Sequence, residues 1–273
     1  MRGVDRYLEH RKRLNASVWV GETGERDSTI YWATTDYFEA NNIGWSFWPW
    51  KKMDTVNTPY SIKRPQHWDA VAAYSRGEAK PTREVAQKAF DEFLTNIRLE
   101  NCTYSPEMVN AMLRRVPARI EAENYGHAGP GVSYGVKDAA RRSQYYRLDE
   151  PVTIKVREAQ RPRTDQFIIL AATEWTAYQI ESDAPRTATI ALRVRAEAAP
   201  AKALLRVNEQ TLEVAVSDKS WTEIRLNAIQ LQRGINKLKW AVQQGMMELD
   251  WLDAQSSEES KQAVGINPPA TAN

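Results

Sequence analysis

The 273-residue chain has one cysteine and three histidines. Cys102 has no partner for an intramolecular disulfide and no Cys/His spacing of the zinc type occurs, so neither zinc nor thiol chemistry is expected. Charge of one sign is also missing: 37 basic against 35 acidic side chains leave a net +2. Such a balance gives no field that would draw nucleic acid or an anionic membrane surface. No apolar run is long enough to span a bilayer. The N-terminus, Met1-Arg2-Gly3-Val4-Asp5-Arg6, passes into charged helix instead of an apolar leader, so no signal peptide is expected in this chain.

Tryptophan is what the chain has in excess. It has ten, and Trp19, Trp32, Trp45, Trp48, Trp50 and Trp68 all fall in the first 68 residues. Trp19, Trp32 and Trp68 are expected to pack in a core, since indoles are highly buried on average. Trp48 and Trp50 form a cluster at the end of an apolar run and call for another explanation. The length allows two domains, each with its own core.

Residues 1–113 read as alternating helices and strands. Val4, Tyr7, Leu8, Arg11 and Leu14 form a helical stripe. The short apolar run at Val18 stops at Gly21-Glu22-Thr23-Gly24, which sets the Glu22 carboxylate at the C-terminal tip of a strand between small residues. Ser28 can cap a helix over 29–41, and a second strand, Ile43 to Trp48, ends in indoles. Helices follow over 66–76, 82–99 and from Pro106 to Leu113, with Pro106 in the first turn. This order is that of a parallel sheet with covering helices. A carboxylate and a wall of Trp at neighbouring strand ends point to a sugar, with Glu25 as a rival carboxylate. Residues 114–117 read as a linker.

From 118 the period changes to two. Ile190, Leu192 and Val194 alternate with polar residues, as do Leu238, Trp240 and Val242. Some nine short strands with regular breaks, over 118–255, predict an all-β sandwich of the jelly-roll type. Residues 256–273, nearly devoid of large apolar side chains, are expected to be disordered.

The Gly21-Glu22-Thr23-Gly24 turn followed by Gly44-Trp45-Ser46-Phe47-Trp48-Pro49-Trp50-Lys51 resembles the seventh and eighth strands of glycoside hydrolase family 5, a (β/α)8 TIM barrel. The resemblance implies that residues 1–113 are the C-terminal part of such a barrel. It also implies that Glu22 is the nucleophile and that Trp48 lies against the sugar; Trp50, in the same wall of indoles, is a further substrate-binding candidate. The family's acid/base Glu has no counterpart here, so the chain alone is not expected to hydrolyse. Arg119-Ile120-Glu121-Ala122-Glu123-Asn124-Tyr125, Glu174-Trp175-Thr176-Ala177-Tyr178 and the last two strands resemble carbohydrate-binding module family 6. That resemblance implies a sugar cleft with Trp221 as its platform. Its usual Tyr falls at Ile169 and its usual Asn at Glu248, which becomes an acceptor for sugar hydroxyls. Tyr134, Tyr145 and Tyr146 are substitute aromatics. It also implies a structural calcium held by Glu121, Glu123 and Asp250, with no cofactor for catalysis. The expectation is the C-terminal portion of a modular retaining glycoside hydrolase with an appended glycan-binding module. Its partner is a polysaccharide or oligosaccharide, and the parent acts outside the cytoplasm, extracellular or periplasmic. The alternative is a non-catalytic carbohydrate-binding protein carrying a barrel remnant.

Overall fold

The structure, a computed structural model, describes residues 2–24, 27–143, 146–157 and 166–257. Glu25, Tyr145 and all but the first two residues of the tail expected to be disordered lie outside them.

The first half runs α1 (Arg2–Leu14), β1 (Trp19–Thr23), α2 (Ser28–Ala40), β2 (Gly44–Phe47), β3 (Lys51–Met53), β4 (Tyr60–Ile62), α3 (Trp68–Ser75), α4 (Arg83–Asn96), β5 (Thr103–Tyr104) and α5 (Pro106–Leu113). β1 and β2 form a two-stranded sheet. Gly44 N donates to Val18 O and Trp48 N to Thr23 O, so the two strands ascend together and α2 is the crossover of a parallel β-α-β unit. The small sheet β3-β4-β5 was not expected from the sequence; β3 pairs with β4 in parallel and β4 with β5 antiparallel. α4 starts at Thr82, whose side chain accepts from Val85 N, and Trp68 stacks on Phe93 with centroids 4.9 Å apart.

The second half runs β6 (Ala118–Glu121), β7 (Tyr134–Gly135), β8 (Thr153–Val156), β9 (Gln166–Ala171), β10 (Trp175–Ser182), β11 (Arg186–Val207), β12 (Gln210–Val216), β13 (Thr222–Leu231) and β14 (Gly234–Ser256). All join one nine-stranded sheet of order β12-β11-β14-β10-β7, with β13 on β11, β6 and β9 on β14, and β8 on β9. The second half is all-β as expected, closed as one curled sheet, but the expectation of short strands throughout is corrected. β11 has 22 residues and β14 has 23, running through the points where breaks were expected. Their mutual register slips near Arg193, Ala196, Ala198 and Lys202. Bulges of this kind bend a strand without ending it, so one ladder curls around a single apolar core. Pro200 falls between the ladder partners Ala198 and Lys202, where no N–H is needed for pairing with β14.

The chain divides into two compact units, Met1–Trp19 with Thr29–Gly44 and Asn110–Asn273, and Val20–Ser28 with Trp45–Val109. The division does not fall at 114–117. In the first unit Ile190, Leu192, Val194, Leu238, Trp240 and Val242 are buried as their alternation requires. Trp32, 2% exposed, belongs to the same core. The helix expected to cover a barrel strand therefore contributes its largest side chain to the β core, because α2 also buries Tyr31, Ala33, Tyr37 and Phe38 on a broad face. Trp19 departs from expectation: it is 67% exposed and lies over Gly44, where a Cβ would sit 2.9 Å from the indole. Among the described residues no helix is long and apolar enough to cross a membrane.

Candidate functional site

Glu22 is exposed and stands one residue before the end of β1. The next residue, Thr23, accepts at 2.7 Å from Trp48 N. Gly24 then turns away at φ 142°, and a Cβ there would lie 2.2 Å from the Trp48 carbonyl oxygen. Only glycine has this conformation and this clearance, so Gly24 holds the backbone of Trp48 against the strand end that bears the carboxylate. The indoles of Trp48 and Trp50 are 55% and 50% exposed. Trp50 continues into Tyr60 at 6.1 Å and Tyr60 into Tyr104 at 5.0 Å between centroids. Those two tyrosines were missed because they come from the unexpected small sheet, in which they are cross-strand partners. A carboxylate at the end of a strand whose last residue pairs with the Trp48 backbone suits attack on a pyranose, and exposed indoles suit stacking against one. Retention would need a second carboxyl group about 5–5.5 Å from the first.

On the curled sheet, β14 lies between β9 and β11, and Glu248 pairs with Ile169 on one side and Arg195 on the other. The three side chains share one face. Glu248 is 2% exposed and receives Arg195 Nε, so it is not presented to solvent as an acceptor for sugar hydroxyls. Two residues on, Asp250 is the extra residue of a bulge: Val194 pairs with Leu249 and Arg193 with Trp251. It is 1% exposed and takes Arg157 at 2.6 Å and Arg193 at 3.3 Å on Oδ2. All three guanidinium groups gather at half-buried Trp221, at 5.3, 5.6 and 4.8 Å from its ring for Arg157, Arg193 and Arg195. Phe167 meets the same indole edge-on at 5.3 Å. The structure thus brings Trp221, Glu248 and Asp250 together through arginines that the sequence reading passed over.

Glu123 is 4% exposed, and its Oε2 has no hydrogen-bond partner. Burial, then the charges of Glu121 and Asp250, push its carboxyl up to about 8. An all-oxygen donor set containing a buried carboxylate without a donor suits a hard cation. The fit lies in the donors and not in their present spacing. Among the described residues no group of three or more His, Cys, Asp or Glu is gathered closely enough to hold a metal ion.

Of the substitute aromatics, Tyr134 and Tyr146 do not form an open surface. Tyr134 is 5% exposed and meets Tyr125 edge-on, and half-buried Tyr146 has a hydroxyl without a partner. They border a polar network the sequence did not reveal. Arg147 donates at 2.6 Å to the carbonyls of Tyr125 and Gly126, and its guanidinium stands 3.7 Å from the Tyr125 ring centroid. His127 Nε2 lies 3.4 Å from Asp36 Oδ2 of α2. Burial raises the Asp36 carboxyl to about 6 against the pull of Arg114 and Arg147. Burial, then Arg147, lowers the His127 imidazole to about 3. The imidazole is therefore neutral above about pH 3 and the carboxyl neutral only below about pH 6, and the network braces the loop after β6 against α2.

No family model matches the sequence, and no curated protein matches it significantly. Solved structures do. The C-terminal CBM6 of the laminarinase LamC from Zobellia galactanivorans is 14% identical over 50% of this chain and 97% of that one, with a TM-score of 0.36. The module CBM36, in complex with calcium and xylotriose, is 19% identical over 50% and 98%, with a TM-score of 0.34. The GH26-CBM35 β-(1,4)-mannanase of Podospora anserina is 18% identical over 57% of this chain, with a TM-score of 0.35. The chain spans 29% of that mannanase and 12% of a Listeria monocytogenes protein crystallised with glucose, magnesium and calcium. These neighbours are carbohydrate-binding modules and a mannanase of family 26.

Proposed function

We propose that this chain is the C-terminal portion of a modular retaining glycoside hydrolase, with the curled sheet as its glycan-binding module. The observation that carries the reading is the apposition enforced by Gly24, which holds Trp48 at the strand end next to Glu22. In this reading Glu22 attacks the anomeric carbon while Trp48 and Trp50 stack on the sugar. The proton donor comes from residues beyond this sequence. The family 5 assignment rests on the two strand-end motifs alone. Trp221 contributes the aromatic surface of the module, Glu248 acts by positioning Arg195, and a structural calcium sits with Glu121, Glu123 and Asp250. The parent acts outside the cytoplasm on a polysaccharide, where a tethered binder raises the effective concentration of the enzyme at its substrate.

A second reading, a non-catalytic glycan-binding protein with a barrel remnant, is favoured by Trp32: a helix committed to the β core is part of the binding module's own scaffold. One set of assays separates the two. The present chain is expected to bind soluble polysaccharide and to hydrolyse none. A longer parent is expected to hydrolyse, and Glu22→Gln in that parent to lose activity by orders of magnitude. A fully active Glu22→Gln parent ends the nucleophile assignment, and unchanged polysaccharide retardation of Trp221→Ala moves the binding surface elsewhere.

A further inference from the structure

We infer that the Trp221 site takes an acidic sugar, a uronic acid residue within a polysaccharide, whose carboxylate is gripped by Arg193 and Arg195 while its ring lies along Trp221. The inference rests on the glycan-binding reading above and narrows its substrate class.

Three guanidinium groups converge on one indole, and among the described residues Glu248 holds Arg195 while Asp250 is shared by Arg157 and Arg193. Both acids are within 2% of complete burial. They lie beneath the arginines, so the anionic side of the site faces the protein and the cationic side faces out. Arg193 is 39% and Arg195 33% exposed at the side chain. Among the described residues Arg195 engages its carboxylate through Nε alone and Arg193 through one terminal nitrogen, Nη1. Each thus retains terminal N–H donors in the planar fork that matches a carboxylate. Two neighbouring acids among the described residues are engaged elsewhere. Glu223, the cross-strand partner of Arg193, is engaged by Arg225 at 2.8 Å, and Glu197 lies 3.7 Å from Lys155. A site built only to stack a neutral pyranose has no use for this arrangement, since each guanidinium near the indole competes with the sugar for the ring. An anionic sugar resolves the competition by drawing the arginines onto its carboxylate.

The test is affinity electrophoresis of the whole chain in gels containing polygalacturonate, or the same polymer after reduction of its carboxyl groups, at fixed ionic strength. The expected result is retardation roughly ten-fold stronger in the carboxylated gel, the scale of one charge-assisted bond. That preference should fall severalfold in Arg193→Gln and in Arg195→Lys, the latter keeping the charge but losing the fork. Arg225→Gln, at a neighbouring exposed pair, should retain it. Melting curves of each variant show that it is folded, and exposed Arg193 keeps the test open if Arg195→Lys does not fold. Equal retardation in both gels, or a preference undiminished in both variants, overturns the inference and leaves glycan binding standing. Retardation in neither gel overturns both. Equal retardation by carrageenan, a sulfated polymer, would reduce the effect to polyanion attraction and also overturn it.

Discussion

Asp36 and His127 face each other in the network beside α2, and they depend on pH with opposite sign. The folded imidazole titrates at about 3 and an ordinary one at 6.5. Between those values the unfolded chain binds a proton that the folded chain refuses, so stability is lost as pH falls. At pH 4 the loss is about 3 kcal/mol. The folded Asp36 carboxyl titrates at about 6 and an ordinary one at 3.8. Here the folded chain holds the extra proton, and stability is lost as pH rises through that window, by about 3 kcal/mol at pH 7. In the intact protein the two effects oppose each other between pH 4 and 7, and single substitutions separate them. Relative to wild type, Asp36→Asn should lose about 2 kcal/mol on going from pH 7 to pH 4, and His127→Gln should gain about 3 kcal/mol. Arg114, Arg147, Glu39, Glu150 and Tyr37 stay in place in both variants, so the difference from wild type isolates the substituted group. Guanidinium chloride unfolding at pH 4, 5, 6 and 7, at constant ionic strength, measures it. Two variants that run parallel to wild type, or deviate in the same direction, would refute the reasoning.

Trp32→Ala should destabilise the β core by about 3–5 kcal/mol, and a 118–255 fragment lacking α2 should melt below the whole chain in calorimetry; equal melting temperatures would show that the indole is dispensable. Gly24→Ala should cost about 1–3 kcal/mol through strain and change the tryptophan emission spectrum, because the new methyl displaces the Trp48 backbone; an unaltered spectrum and melt would mean that the turn tolerates a Cβ. Calcium should raise the melting temperature of wild type over that in excess chelator and leave Glu123→Gln unmoved; the same shift in both proteins would remove the carboxylate site.

Much of the fold follows from periodicity. The helix over 29–41 and the buried sets Ile190, Leu192, Val194 and Leu238, Trp240, Val242 appear as the alternation requires. The extent of the long strands does not, because Pro200 reads locally as a strand break. A bulged stretch of ladder needs no hydrogen bond there and lets the strand continue. Nor does the sequence reveal which core owns α2. Its apolar face is broad enough to cover either a barrel strand or the curled sheet, and the choice rests on contacts between Trp32 and residues more than eighty positions away.

The site was legible by residue type and opaque by partnership. Trp221 stands out as an indole after a turn, whereas Arg193 and Arg195 look like the solvated side of an alternating strand. A signal was nevertheless present: Arg193-x-Arg195 and Glu248-x-Asp250 have the same spacing and opposite charge, on strands whose other faces are both apolar. Two such pairs on antiparallel neighbours face each other only if the register is right, and a shift of either strand by one residue would turn that strand's charged pair into the core. The buried acids thus act as register pins as well as supports for the guanidinium groups. This dual role predicts a particular asymmetry. Removing Glu248 or Asp250 leaves arginines clustered without a counter-charge and should cost stability and binding together, about 3–5 kcal/mol of the former. Removing the exposed Arg193, whose carboxylate is still held by Arg157, should cost binding with little loss of stability. Unfolding curves set beside gel retardation for Asp250→Asn and Arg193→Gln would test it. If Arg193→Gln unfolded as readily as Asp250→Asn, the arginines would be core struts and not a surface prepared for a ligand.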